Sequence, residues 1–280
     1  MTSKGEKAEL FRSLHHGNDV LILPNAWDVP SARVFEDAGF PAVATSSAGM
    51  MVSLGYPDGQ LIGKAEFIAA IGRISRALTV PLSADVVAGF GDSPAQVAST
   101  IKSVLKAGAI GVNLEDFAHA AKKLFPIEKQ VEKLKAVRSV GELMRIPLVI
   151  NARTDALRYF PGDSSAQFAE AVRRGVAFRD AGADCVYPMG LTEPEKISEF
   201  VKAVDCPVNV MVRRGLPSVK ELRRLGVRRV SFGPSASYAA FGLLRRAAAE
   251  VIEKGTYETL IEGAISFDEL NGLAIRKPQR

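Results

Sequence analysis

The chain has 280 residues, of which 47% are hydrophobic and 24% charged, and its formal net charge is +5. The composition is that of a soluble globular protein, and the length suits one α/β barrel whose core needs no disulfide. The chain has two lone cysteines, which argues against a disulfide framework, and it has no apolar run of about 20 residues, which argues against a membrane protein. It has no basic stripe with interleaved aromatics, which argues against a nucleic-acid-binding protein. We expect a cytoplasmic location.

Short β-branched segments alternate with amphipathic helical segments along the chain. A leading helix is predicted over about 5–16. Strands are predicted at 20–24, 42–46, 82–86, 111–115, 148–153, 185–188, 208–212 and 229–233. Helices are predicted at about 30–39, 64–78, 94–108, 126–144, 164–182, 192–204, 218–226 and 235–254, and 255–280 is predicted to be a weakly helical tail.

Eight strand–helix units in one chain predict a closed parallel (β/α)8 barrel of the TIM type, formed as a single domain over 1–280. The alternative is an open doubly wound sheet. Such a sheet usually has a glycine-rich phosphate-binding turn after its first strand. Here the first strand runs into Leu-Pro-Asn-Ala-Trp-Asp at 23–28, which has no such turn.

Polar side chains cluster at one end of the predicted strands, and catalytic residues of such barrels lie at the carboxyl ends. These residues are Asn25, Asp28, Thr45, Ser46, Ser47, Asp85, Asn113, Glu115, Asp116, Asn151, Arg153, Asp155, Tyr187, Asn209, Arg213, Ser231 and Ser235. The opposite strand ends carry mostly Pro, Ala and Cys. This asymmetry predicts a polar site at one mouth of the barrel.

Asp85 and Glu115 end adjacent predicted strands, so their carboxylates should converge. Two such charges repel unless a cation or a proton lies between them. Oxygen ligands without neighbouring Cys or His favour Mg²⁺ or Mn²⁺ over zinc. The alternative is that each carboxylate caps the helix that follows. For Asp85 the glycines of 89–91 favour a metal ligand, because they leave the backbone open to a ligand.

Arg153 ends its strand and can hold a carboxylate or phosphate in bidentate fashion. The alternative is an ion pair with Asp155 or Glu115. The segment 45–49, Thr-Ser-Ser-Ala-Gly, offers hydroxyls and backbone N–H groups to an anion, or forms a plain turn.

Several motifs follow one another along nearly the whole chain. They are Leu-Pro-Asn-Ala-Trp-Asp at 23–28, Thr-Ser-Ser-Ala-Gly at 45–49, Gly-Tyr-Pro-Asp at 55–58, Ser-Ala-Asp-Val-Val-Ala-Gly-Phe-Gly at 83–91, Val-Asn-Leu-Glu-Asp at 112–116, Asn-Ala-Arg-Thr-Asp at 151–155, Pro-Val-Asn-Val-Met-Val at 207–212 and Val-Ser-Phe-Gly-Pro at 230–234. In order and spacing together, the chain resembles the isocitrate lyase and phosphoenolpyruvate mutase superfamily. It is similar to the members called carboxyvinyl-carboxyphosphonate phosphorylmutase-like.

The resemblance implies a homodimeric or homotetrameric α/β barrel whose last helix is exchanged between subunits. It also implies cleavage or formation of C–C or P–C bonds beside a carboxylate, through an enolate-type intermediate stabilised by Mg²⁺. The implied metal ligand is Asp85, and the resemblance implies that Asp58 and Glu115 support the metal either through water or by contacts with its ligands. The implied substrate-binding residues are Trp27, Ser46, Ser47, Ala48, Asp85, Arg153 and Asn209, and the implied catalytic residues are Ser46, Asp58 and Arg153.

Three positions depart from the family pattern. Val87 stands where the family often has a second acid after Asp85. The segment 117–125 lacks the cysteine that lyases of the family carry in a mobile loop, so His119 or a water would have to serve as the general acid. Met189, rather than Glu, follows the proline that ends the sixth strand. We therefore do not expect a true isocitrate or methylisocitrate lyase.

These observations predict a Mg²⁺-dependent (or Mn²⁺-dependent) lyase-type enzyme for a small 2-oxo or 2-hydroxy carboxylic acid. Its expected partner is that small anionic acid, and neither nucleic acid nor a membrane. Two alternatives stay open: a barrel that binds a keto acid with little or no catalysis, and a hydrolase or decarboxylase of a 2-oxo acid.

Overall fold

The strands of the protein are short and almost all parallel. The computed structural model describes residues 3–274. Its strands are β1 (Leu21–Leu23), β2 (Asn25–Ala26), β3 (Val43–Thr45), β4 (Leu82–Asp85), β5 (Gly111–Glu115), β6 (Phe117–Ala118), β7 (Lys123–Leu124), β8 (Val149–Thr154), β9 (Cys185–Pro188), β10 (Asn209–Met211) and β11 (Arg229–Ser231).

The parallel strands close into a barrel. β1 and β2 are two parts of one strand interrupted at Pro24, which has no N–H to donate. β1 pairs with β11, which pairs with β10, while β2 begins the series β2-β3-β4-β5-β8-β9. A bridge between Val186 and Val208 joins β9 to the segment that enters β10. The predicted TIM-type barrel is therefore confirmed, and the open-sheet alternative is wrong.

Helices surround this barrel. They are α1 (Lys4–Ser13), α2 (Val29–Asp37), α3 (Ser47–Ser53), α4 (Lys64–Ala77), α5 (Pro94–Ala107), α6 (Ile127–Leu143), α7 (Ala156–Tyr159), α8 (Ser164–Asp180), α9 (Pro194–Val204), α10 (Val219–Arg224), α11 (Ser235–Lys254), α12 (Glu258–Ile261) and α13 (Phe267–Ala274). Within 3–274, none of them combines the length and apolar character that crossing a membrane requires.

Helix α1 closes the amino-terminal end of the barrel. The ring of Phe11 is fully buried and lies under Gly111, where an added Cβ would come within 2.6 Å of Phe11 Cε1. Only glycine leaves room for this ring, so the bottom of the barrel is filled by a side chain from outside the sheet. The open end of the barrel is therefore the carboxyl end of the strands.

The structure adds elements that the sequence patterns did not predict. Helix α3 begins directly after β3, where the Ser46 hydroxyl accepts a hydrogen bond from Gly49 N at 3.2 Å. The segment 117–124 forms a small antiparallel hairpin, β6–β7, and α7 is a single turn. In the predicted tail 255–280, two short helices are present, and residues 275–280 lie outside the described part.

Candidate active site

A cavity of about 270 Å³ opens at the carboxyl end of the strands. Its walls bring together residues from widely separated parts of the chain. Of the predicted site residues, those that line it are Ser46, Ser47, Ala48, Asp58, Asp85, Arg153 and Asn209. The strand-end pattern therefore predicted the location of the cavity.

The Asp85 carboxylate is held in one orientation at the end of β4. Its Oδ2 accepts hydrogen bonds from Ser47 N at 3.1 Å and Ser47 Oγ at 2.6 Å, and its Oδ1 accepts one from Asn113 Nδ2 at 2.9 Å. The helix after β4 is capped by the Ser93 side chain. The alternative in which Asp85 caps that helix is therefore wrong.

A chain of amides extends from Asp85 across the barrel. Asn151 Nδ2 donates to Asn113 Oδ1 at 2.7 Å, and Asn113 in turn donates to Asp85. Both asparagines were noted at strand ends but were not predicted as site residues. The signal that could have identified them is the period of two, which puts Asn113 on the inner face with Glu115, and Asn151 there with Arg153.

Asp58 brings a second carboxylate to the cavity from the turn between α3 and α4. Desolvation, and next the negative charge of Asp85, raise the pKa of Asp58 above its usual value. A cation bound between these two carboxylates would relieve the repulsion between them.

Arg153 lines the cavity but its charge is already shared by two buried carboxylates. Its Nη1 lies 2.9 Å from Glu115 Oε2, and its Nη2 lies 2.7 Å from Asp155 Oδ1. Burial acts to lower the pKa of Arg153, but the charges of these two carboxylates raise it above its usual value. The ion pair that was the alternative for Arg153 is therefore present. Its Nε has no hydrogen-bond partner among residues 3–274, so one donor is left over for a ligand.

Two predicted site residues do not line the cavity. Glu115 is buried and held by Arg153 and by a hydrogen bond with Nε2 of His119. Burial raises the pKa of Glu115, and the hydrogen bond to Glu115 raises that of His119. Trp27 packs against Gly49, where an added Cβ would come within 2.9 Å of Trp27 Cβ, and so supports α3 instead of forming a cavity wall.

The donor set fits a hard divalent cation that keeps most of its waters. Among residues 3–274, no group of three or more His, Cys, Asp or Glu side chains is arranged to hold a metal. Mg²⁺ needs only one or two carboxylates, with the other positions filled by water and substrate. Asp85 and Asp58 supply those carboxylates. The Val87 side chain is buried in the core, so it adds no ligand.

The sequence of the chain matches a known family. The sequence model described as phosphoenolpyruvate phosphomutase matches residues 11–252. The chain is 34% identical over 233 residues to an uncharacterized protein of Mycobacterium tuberculosis, which covers 82% of this chain and 83% of that protein. It is 31% identical over 214 residues to 2-methylisocitrate lyase of Bacillus subtilis, and the match covers 74% of this chain and 67% of that protein.

Solved structures with the same architecture support this match. A Burkholderia cenocepacia protein provisionally named a lyase/mutase is 36% identical, with a TM-score of 0.89 and coverage of 96% of this chain and 95% of that one. A phosphonopyruvate hydrolase solved with oxalate and Mg²⁺ is 25% identical, with a TM-score of 0.82, and the match covers 96% of this chain and 94% of that one.

Proposed function

The chain belongs to the phosphoenolpyruvate phosphomutase family, and on that basis we propose that it is a Mg²⁺-dependent lyase-type enzyme acting on a small 2-oxo or 2-hydroxy carboxylic acid. Named relatives include a lyase and a hydrolase of such acids, and one of them was solved with oxalate and Mg²⁺. Mn²⁺ has the same preference for oxygen ligands and would serve as a substitute.

One observation carries the proposal. Asp85, Asp58 and Arg153 converge on one cavity at the carboxyl end of parallel strands, with Asp85 fixed by three hydrogen bonds of 2.6–3.1 Å. This arrangement suits an anionic substrate that shares a divalent cation with the protein. A cation at Asp85 would supply positive charge to the oxygen of a developing enolate.

The chain's own groups have separable tasks in this proposal. Ser47 uses its hydroxyl and its N–H to hold Asp85, so neither is free for the substrate. The Ser46 hydroxyl accepts from Gly49 N and keeps its own proton to donate to the substrate carboxylate. Ala48, in the first turn of α3, lines the same cavity, and its backbone N–H would donate to the same carboxylate.

Hydrolysis or decarboxylation of a 2-oxo acid is a second candidate reaction. The observation that favours it is the lack of a thiol at the site. The hairpin segment 117–125 has no cysteine, and neither Cys185 nor Cys206 lines the cavity. Burial raises the pKa of Cys206 to about 12, so this thiol is too weak an acid to serve as an efficient general acid near neutral pH.

Thermal unfolding with Mg²⁺ and oxalate, an enolate mimic, tests the proposed site. We expect saturating Mg²⁺ and oxalate together to raise the Tm by about 5–10 °C at ligand concentrations ~100-fold above Kd. Asp85→Ala should abolish the shift. Asp19→Ala, at a side chain that is 87% exposed far from the cavity, should retain it. No shift with Mg²⁺ or Mn²⁺ would contradict the metal site.

Turnover separates the proposed enzyme from a binding barrel. The enzyme should form product from at least one of oxaloacetate, methylisocitrate, dimethylmalate and phosphonopyruvate, and Asp85→Ala should remove that activity. Stabilisation by oxalate without product from any of these acids would instead support a keto-acid-binding barrel.

A further inference from the structure

The deep end of the cavity contains an arginine, Arg229, for which residues 3–274 provide no hydrogen-bond partner. Arg229 is the first residue of β11, is 2% exposed and lines the same cavity as Asp85. Its Nε and Nη1 are buried and have no hydrogen-bond partner among residues 3–274. A guanidinium stays protonated in proteins, so burial does not remove this charge.

Unpaired acceptors line the cavity together with Arg229. Ser83 Oγ, Asn151 Oδ1 and Asn209 Oδ1 are buried and accept no hydrogen bond within the described chain. Buried polar atoms are nearly always paired, and each exception requires an explanation. Several exceptions in one cavity indicate a place built for polar contents.

The protein provides little negative charge to balance Arg229. Cys185 and Tyr187 lie close enough to influence Arg229, and burial raises the pKa of both far above neutral. Burial, and next the charge of Arg229, lower the pKa of nearby His15 to about 3. These three groups are therefore neutral near pH 7. Asp85 also acts on Arg229, but its oxygens accept hydrogen bonds from Ser47 and Asn113, and in the proposed enzyme they would also hold a cation.

We propose that Arg229 forms a second, deep anion site at the floor of the barrel cavity. It would hold one negatively charged group against the planar guanidinium, whose parallel N–H donors suit a carboxylate and whose charge also suits a halide. The group is either the far carboxylate of a dicarboxylic substrate or a free small anion. The site concerns binding alone, so it stands even if the proposed reaction is wrong.

Ligand-dependent unfolding of the whole chain tests the site. The variants are Arg229→Met and the matched control Arg228→Met, whose guanidinium donates to Gly17 O instead of entering the cavity. Each protein is compared in chloride and in a bulky sulfonate buffer such as Hepes, which carries no carboxylate, at equal ionic strength. It is then compared with L-malate and L-lactate, which differ in the second carboxylate. Since one charged hydrogen-bond pair contributes about 10–100-fold in affinity, the effect is measurable.

The outcomes distinguish the two sources of the anion. Saturable stabilisation by chloride that Arg229→Met loses and Arg228→Met keeps assigns a free anion. Malate binding at least tenfold tighter than lactate, with the preference lost in Arg229→Met alone, assigns a substrate carboxylate. If neither dependence on Arg229 appears, the proposal is overturned. Asp85→Ala should keep the chloride effect, so failure of the metal site is distinguishable.

Two further measurements keep the proposal testable if a variant is unstable. Because the unpaired buried charge costs free energy, Arg229→Met should unfold in the chloride-free sulfonate buffer at a Tm equal to or above that of the wild type. A large fall would show that Arg229 already has protein partners. Crystals of the wild type soaked in bromide or malate should show bromine anomalous density or a carboxylate on the guanidinium, and only water there in both soaks would overturn the site.

Discussion

At the scale of single residues, Arg153 serves both the proposed site and the stability of the fold. It lies in the wall of the cavity, and it also neutralises Glu115 and Asp155, whose side chains are 3% and 0% exposed. A buried ion pair is not in itself a large source of stability, but removal of one partner leaves the other charge uncompensated. Arg153 is therefore required for the fold of the mouth before any substrate arrives.

Arg153→Met should lower the free energy of unfolding by about 3–5 kcal/mol, since two carboxylates would stay buried without their cation. Urea unfolding followed by circular dichroism measures this change. The control is Arg213→Met, at an exposed arginine of the same end of the barrel, which should change stability by about 0.5 kcal/mol or less. Equal effects of the two substitutions would show that the pairs at Arg153 are not structural.

The strand pattern predicted some site residues and missed others for a definable reason. A period of two, applied to carboxyl strand ends, finds Asp85 and Arg153 because their side chains start at the mouth. Arg229 starts at the opposite end of its strand and reaches the cavity only through the length of its side chain. Trp27 has a family-like position, but its contact with Gly49 depends on tertiary packing that no local pattern encodes.

At the scale of elements, helix α1 closes the amino-terminal end of the barrel. His15 follows this helix, is 1% exposed, and its Nδ1 lies 2.8 Å from Phe11 O, while the two rings pack edge to face at 4.9 Å. Burial first, and Arg229 second, lower its pKa from the usual 6.5 to about 3. The folded protein therefore keeps His15 neutral under mildly acidic conditions, whereas the unfolded chain takes up a proton.

This difference predicts a pH dependence of stability. Between pH 6.5 and 3 the unfolded state binds more protons at His15, so stability should fall as pH falls through this window, by up to about 1.4 kcal/mol per pH unit. His15→Leu should reduce this slope by that amount. Urea unfolding at intervals from pH 7 to 4.5 measures it, with His16→Leu, at the exposed neighbour, as control. Parallel curves for wild type and His15→Leu would contradict the assignment.

Strands and long helices were predictable because their hydrophobic periods extend over several residues. The extra elements were not. Helix α3 has seven residues of small and apolar type, and it depends on the Ser46 cap and on the hydrogen bonds from Ser47 to Asp85. Hairpin β6–β7 consists of two pairs of residues. Such short elements have no period of their own and are determined by the tertiary contacts around them.

At the scale of the whole molecule, the last three helices leave an apolar surface. Helix α13 packs on α2 of the same chain, where Arg33 Nε donates to Leu273 O at 2.9 Å. The large exposed apolar side chains of this region are Tyr238, Phe241, Leu243, Leu244, Val251, Ile252, Tyr257, Leu260, Ile261, Ile265, Phe267 and Leu270. So many large exposed apolar side chains on one segment of the chain are typical of a protein interface. It supports the prediction of a homodimer or homotetramer, while exchange of the last helix stays a prediction.

Ile252 and Phe267, which are 84% and 81% exposed, are the sharpest test of that interface. Light scattering after size exclusion should give the wild type a mass of at least two 30.0 kDa chains. Ile252→Lys combined with Phe267→Lys should shift it toward one chain, because each lysine would have to lose its water in the interface. Leu143→Lys, at a 76% exposed side chain of α6, should leave the mass unchanged. A monomeric wild type would show that this surface has another role than self-association.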